Sequence, residues 1–121
     1  MKFDKNLKIN VNFTMLDEVY STSILDYHSI LEKIKTEYQK YKEEICYTIL
    51  NSQEEEYRKI RHKLNATLSM LQIEEFIELL LIIKLDFANI NNSKEEIIQL
   101  VQRCFDDIES LINKKIISLN K

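Results

Sequence analysis

Apolar residues recur at alternating spacings of three and four along most of this chain, the period of a helix that buries one face. The longest series, Ile24, Tyr27, Leu31, Ile34, Tyr38, Tyr41, Ile45 and Ile49, predicts one long amphipathic helix. Asn51 and Ser52 close it, because Asn tolerates the left-handed C-terminal conformation where glycine is missing. A second series, Tyr57, Ile60, Leu64, Leu68 and Leu71, predicts a helix ending near Leu71. A third begins near Gln72 and buries Ile73, Phe76, Ile77, Leu80, Ile83 and Phe87, until Asn89, Asn91 and Asn92 break it. The last carries Ile97, Val101, Cys104, Phe105, Ile108, Leu111, Ile112 and Ile116 nearly to the C-terminus. Ahead of these, Met15, Leu16, Val19 and Tyr20 supply a short helix. Residues 1–13 carry no stripe and read as an irregular arm, with Val11 and Phe13 the side chains that pack down.

Three helix starts have the form of a capping box: Thr14 with Asp17, Ser52 with Glu55, and Ser93 with Glu96. Four long helices with short polar connections predict an all-α fold, an antiparallel up-down four-helix bundle with a short additional N-terminal helix. One domain over residues 14–121 accounts for everything after the arm. The absence of glycine and proline fits this picture. It removes the residues that punctuate hairpins, and it excludes a Gly-rich phosphate loop.

Charged residues make up 31% of the 121 positions, with both signs interleaved and a net charge of −3. No basic stripe follows, so a nucleic acid partner is not expected. The densest apolar run, Leu79 to Ile83, falls far short of the ~20 residues of a membrane span. The segment from Met1 to Lys5 leads into no signal-peptide core, and the expectation is a soluble cytoplasmic protein. Cys46 and Cys104 belong to no metal-binding spacing and lie on or beside apolar stripes, as two reduced core thiols would. No metal ligand set is expected, and no excess apolar face demands more than a monomer.

His62 is the candidate for chemistry. With its side chain set at ~0° and ~100° allowed per residue, Leu71 falls at ~180°, Ile60 at ~160° and Leu64 at ~200°, so the ring faces water. On its own side lie Glu55 at ~20°, Ala66 at ~40°, Lys59 at ~60°, Ser69 at about −20°, Arg58 at about −40° and Asn65 at about −60°. The small Ala66, one turn on, leaves the ring uncovered. His28 borders the apolar stripe of its helix and has Glu32 four positions on, so it reads as a partly buried histidine without a site.

The stretch from Gln53 to Glu78 resembles the histidine-containing phosphotransfer (HPt) domain. That family has a histidine, an apolar residue two on, a lysine three on, a small residue four on and a turn about ten on; here those places hold His62, Leu64, Asn65, Ala66 and Gln72. The order of helices is also similar over residues 14 to about 117. Asn65 departs from the pattern, since it stands where the family has lysine. The resemblance implies a phosphorelay intermediate in which His62 accepts a phosphoryl group from a receiver-domain aspartate and passes it to another receiver. Such receivers belong to response regulators or hybrid histidine kinases, and they supply Mg²⁺ and most of the catalysis. The domain itself would be a phosphocarrier without a cofactor. Asn65, Ala66, Arg58, Lys59 and Ser69 are the expected phosphate-supporting or docking residues, with Met15 and Val19 as apolar contacts.

Histidine suits this task because its ordinary pKa of about 6.5 leaves an exposed ring largely neutral, and therefore nucleophilic, near neutral pH. The competing reading is a non-catalytic helical interaction module, either a degenerate HPt domain or an unrelated bundle. The acidic pairs Glu43-Glu44, Glu74-Glu75, Glu95-Glu96 and Asp106-Asp107 lack the ExxH partner of a di-iron bundle. Several lie in first helical turns, where the helix dipole favours them.

Overall fold

The computed structural model describes residues 3–120, and over them the chain is all-helical. After an arm without regular structure come α1 (Thr14–Val19), α2 (Ile24–Leu50), α3 (Glu54–Met70), α4 (Glu74–Leu85) and α5 (Lys94–Leu119). Two short 3₁₀ turns, Phe87–Asn89 and Asn91–Ser93, join α4 to α5, so the predicted third helix is shorter at both ends and Phe87 packs from a turn.

The long helices form where the stripes lie. α2 packs against α5 and α3, and α3 against α4. Their inner faces meet in one core, in which Leu31, Ile45, Leu64, Leu68, Leu80, Val101 and Ile108 are fully buried. Aromatic rings tie the elements together. Phe105 of α5 meets the Phe76 ring of α4 edge-on at 5.0 Å and the Tyr38 ring of α2 at 6.0 Å. Tyr57 of α3 is buried against Phe87 at 5.2 Å, and its hydroxyl donates to the Leu80 carbonyl at 2.7 Å. That bond allows a phenol to occupy an otherwise apolar interior.

Polar contacts follow the seam between α2 and α5. Lys35 Nζ reaches Asn113 Oδ1 at 3.1 Å, Gln39 Nε2 reaches Glu109 Oε1 at 3.2 Å, and Lys42 Nζ reaches Asp106 Oδ1 at 3.1 Å. Partner numbers descend along α5 as they ascend along α2.

The helix ends correct one detail of what the sequence predicts. Helix α2 closes through Ser52, not Asn51: Ser52 has φ 55°, while Asn51 stays at −99°. The Gln53 N–H then reaches back to the Thr48 carbonyl at 2.9 Å and Ser52 N–H to Ile49 at 3.4 Å, the paired bonds of a Schellman ending. Helix α3 ends the same way through Gln72 at φ 54°, with Ile73 N–H on Leu68 O at 3.0 Å. A chain without glycine thus places two Cβ-bearing residues in the left-handed region, at a cost of order 1–2 kcal/mol each.

None of the three expected capping boxes provides a side-chain cap. Thr14 lies inside α1, whose cap position is Phe13, and its N–H is taken by Asn12 Oδ1 at 2.9 Å. Ser52 is committed to the preceding helix and accepts from Lys94, leaving Gln53 at the α3 cap without a side-chain bond. Ser93 stands at the α5 cap with φ −122° and ψ 10°, and its hydroxyl caps nothing. Ser23 does cap α2, its hydroxyl accepting from the Asp26 N–H at 3.2 Å.

The arm is held at several points. Ile9 is buried, Val11 and Phe13 are half-buried as expected, the Asn12 N–H donates to Leu71 O at 2.9 Å, and the Arg103 guanidinium donates to the carbonyls of Lys5 and Leu7. Short helix α1 is fixed by Lys115, whose ammonium lies 2.9 Å from Asp17 Oδ1 and over the rings of Phe13 and Tyr27. The Tyr27 hydroxyl donates to the same carboxylate at 2.7 Å.

Candidate functional site

The geometry of α3 gives it two unlike faces. Tyr57, Leu64, Leu68 and, at its C-cap, Leu71 turn into the core and are fully buried. His62 lies on the other face, exposed, and among the described residues it has no hydrogen-bond or ion-pair partner. Ala66 and Ser69, one and two turns on, are exposed as well, so no side chain of that row covers the imidazole.

The cations expected near the ring are present but engaged. Arg58 lies 3.5 Å from Glu55 and Lys59 lies 3.6 Å from Glu56, both as exposed pairs three residues apart on the helix. Such pairs contribute roughly 0–1 kcal/mol, so either cation is available to a stronger anion at small cost. Lys63 is exposed and, among the described residues, unpaired.

Asn65 differs from the fully exposed row that the helical angles drew. It is half-buried, and its Oδ1 is shielded from solvent without a hydrogen-bond partner. Arg61, one turn earlier on the same flank, is half-buried too, with its Nε likewise shielded and unpartnered. The sequence reading did not single out Arg61. Its signal was the four-residue spacing to Asn65, which puts the two side chains on one flank.

An open cleft of about 510 Å³ runs between α2 and α3 beside this face, with Tyr47 and Ile60 on its walls and Lys59 and Lys63 along α3. Tyr47 is exposed, although it shares a helix with the core tyrosines Tyr27 and Tyr38. Met15 and Val19 of α1 are exposed, as a contact role requires.

The remaining chemistry-bearing groups are turned inward. Cys46 and Cys104 are free and buried, and burial pushes their thiols up to about 11 and about 12. Both are therefore protonated at neutral pH and poor nucleophiles. His28 is half-buried on α2. Among the described residues, no grouping of three or more His, Cys, Asp or Glu side chains is placed to hold a metal ion. None of the helices described is long and apolar enough to cross a membrane. Compared with protein-family models, with curated proteins and with solved structures, the chain matches none.

Proposed function

We propose that the protein is a phosphorelay intermediate of the HPt kind, a cytoplasmic monomer that carries a phosphoryl group on His62 between receiver domains. The observation that carries this reading is the exposed, unpartnered imidazole above the small Ala66 on an otherwise well-packed helix. The descending partner order along the α2–α5 seam, with three-residue links between α2 and α3 and between α3 and α4, supports an antiparallel up-down four-helix bundle. Residues 14–121 would form that domain, with the arm of residues 1–13 laid on it.

In the transfer step, the lone pair of one imidazole nitrogen forms a bond to phosphorus as the P–O bond of the aspartyl phosphate breaks. The aspartate carboxylate leaves with the electron pair. The other ring nitrogen keeps its proton or passes it to solvent. The receiver supplies Mg²⁺, and the phosphorylated ring needs donors for its anionic oxygens. Arg58 and Lys59 can supply charge by leaving their glutamate partners.

A second reading has its own support. Asn65 stands in the lysine place and turns its carbonyl oxygen away from solvent, as a degenerate domain that binds receivers without accepting phosphate would allow. Incubation with a phosphorylated receiver and Mg²⁺ decides between the two. An acid-labile, base-stable label that is lost in His62→Gln is expected. A label that never forms, or that persists in His62→Gln, rejects the relay.

A further inference from the structure

Two polar atoms on one flank of α3 are hidden from water with nothing to bond. Arg61 Nε is a donor and Asn65 Oδ1 an acceptor, and the residues stand one helical turn apart. A buried polar group left without a partner is unfavourable, so two together on the helix of the candidate phosphate carrier call for a reason. They flank His62: Arg61 precedes it in sequence and Asn65 lies three positions after it.

Resting on the phosphocarrier reading, we infer that Arg61 and Asn65 together hold the oxygens of a phosphoryl group on His62, filling the role of the absent lysine. A guanidinium presents a planar fork of N–H donors that matches phosphate geometry, which an ammonium does not. With its Oδ1 turned inward, the Asn65 amide already directs its N–H₂ end away from that hidden position, where it can donate. Arg61 is also better prepared than the other cations of the helix. Arg58 and Lys59 are bound to Glu55 and Glu56, while Lys63 is exposed and has more side-chain freedom to lose. Arg61 has no ion pair to break and is already part-ordered by burial, so less conformational entropy is lost when it engages the anion. Phosphorylation of His62 would draw the guanidinium outward.

The test uses the full chain and phosphoramidate as a small-molecule phosphodonor, so that no receiver is needed. In wild type, ³¹P NMR should show a phosphohistidine, and the Arg61 Nε–H resonance should shift as it forms. Arg61→Gln should raise the pH midpoint of the ³¹P titration, because a cation near the phosphoryl group favours its more ionised form. Arg61→Lys should fall between the two. An unchanged midpoint in Arg61→Gln overturns the assignment while leaving the phosphocarrier reading intact. Absence of phosphohistidine in wild type overturns the phosphocarrier reading and this inference with it. Helical circular dichroism on each variant separates these outcomes from loss of fold.

Discussion

The outer face of α3 and the α2–α5 seam are both rich in charge, yet they use it differently. Along the seam, Lys35, Gln39 and Lys42 bond across to Asn113, Glu109 and Asp106, so polar groups fix one helix against another. Around His62 the ion pairs stay within α3, Arg58 with Glu55 and Lys59 with Glu56, and bridge nothing. The seam spends its charges on register. On the His62 face the pairs lie within one helix, so giving them up would disturb no helix–helix contact.

The sharpest way to break this comparison sets the two faces of α3 against each other. Leu64→Ala removes a fully buried side chain and should cost ~2–5 kcal/mol in urea unfolding. Ala66→Phe, two residues away on the exposed face, should change stability by no more than about 0.5 kcal/mol. It should nevertheless block phosphotransfer by filling the approach to His62. Unimpaired transfer in Ala66→Phe would mean that a receiver approaches from elsewhere.

A smaller effect compares the two kinds of ion pair. A double-mutant cycle on Lys42 and Asp106, at 3.1 Å across the seam, should give a larger coupling than one on Lys59 and Glu56, at 3.6 Å along α3. Both should lie within roughly 0–1 kcal/mol, the seam pair toward the top of that range. Equal couplings would remove the distinction drawn here.

The smallest effect concerns α1. The Lys115 ammonium and the Tyr27 hydroxyl hold the Asp17 carboxyl below its ordinary value. On acidification the unfolded chain therefore takes up the proton first. The stabilisation is complete above the unfolded pKa and is lost as pH falls through the folded one. Asp17→Asn should flatten the loss of thermal stability that begins below about pH 4, and the two proteins should converge at the acid end. The Asp17 side chain is 49% exposed, so solvent screening keeps the effect modest. A constant difference between variant and wild type at every pH would show that the carboxylate's charge does not matter.

The stripe Tyr57, Leu64, Leu68 and Leu71 was legible because it depends only on the 3.6-residue period, and the exposure of His62 and Ala66 follows as its complement. The cap residues were not. Thr14, Ser52 and Ser93 have the right side chains, but a cap also requires the right backbone angles, and the incoming turn sets those. Ser52 shows the conflict most clearly, since closing α2 in the left-handed region removes it from the start of α3. The helical angles likewise placed Asn65 near the surface without showing that its amide oxygen would be hidden, because they fix where a side chain leaves the helix and not how its amide is turned.

By itself, then, the sequence determined which segments are helical, which face of each is buried, and that His62 stands outside. Those properties are local and periodic. Tertiary structure alone decided that Lys42 would find Asp106, that Lys115 would hold α1 through Asp17, and that Arg61 and Asn65 would each hide a polar atom from solvent. Each of these depends on how one helix or turn is set against another. The hydrophobic period leaves that undetermined, because burial of a stripe is satisfied by area and not by the direction of any single polar atom.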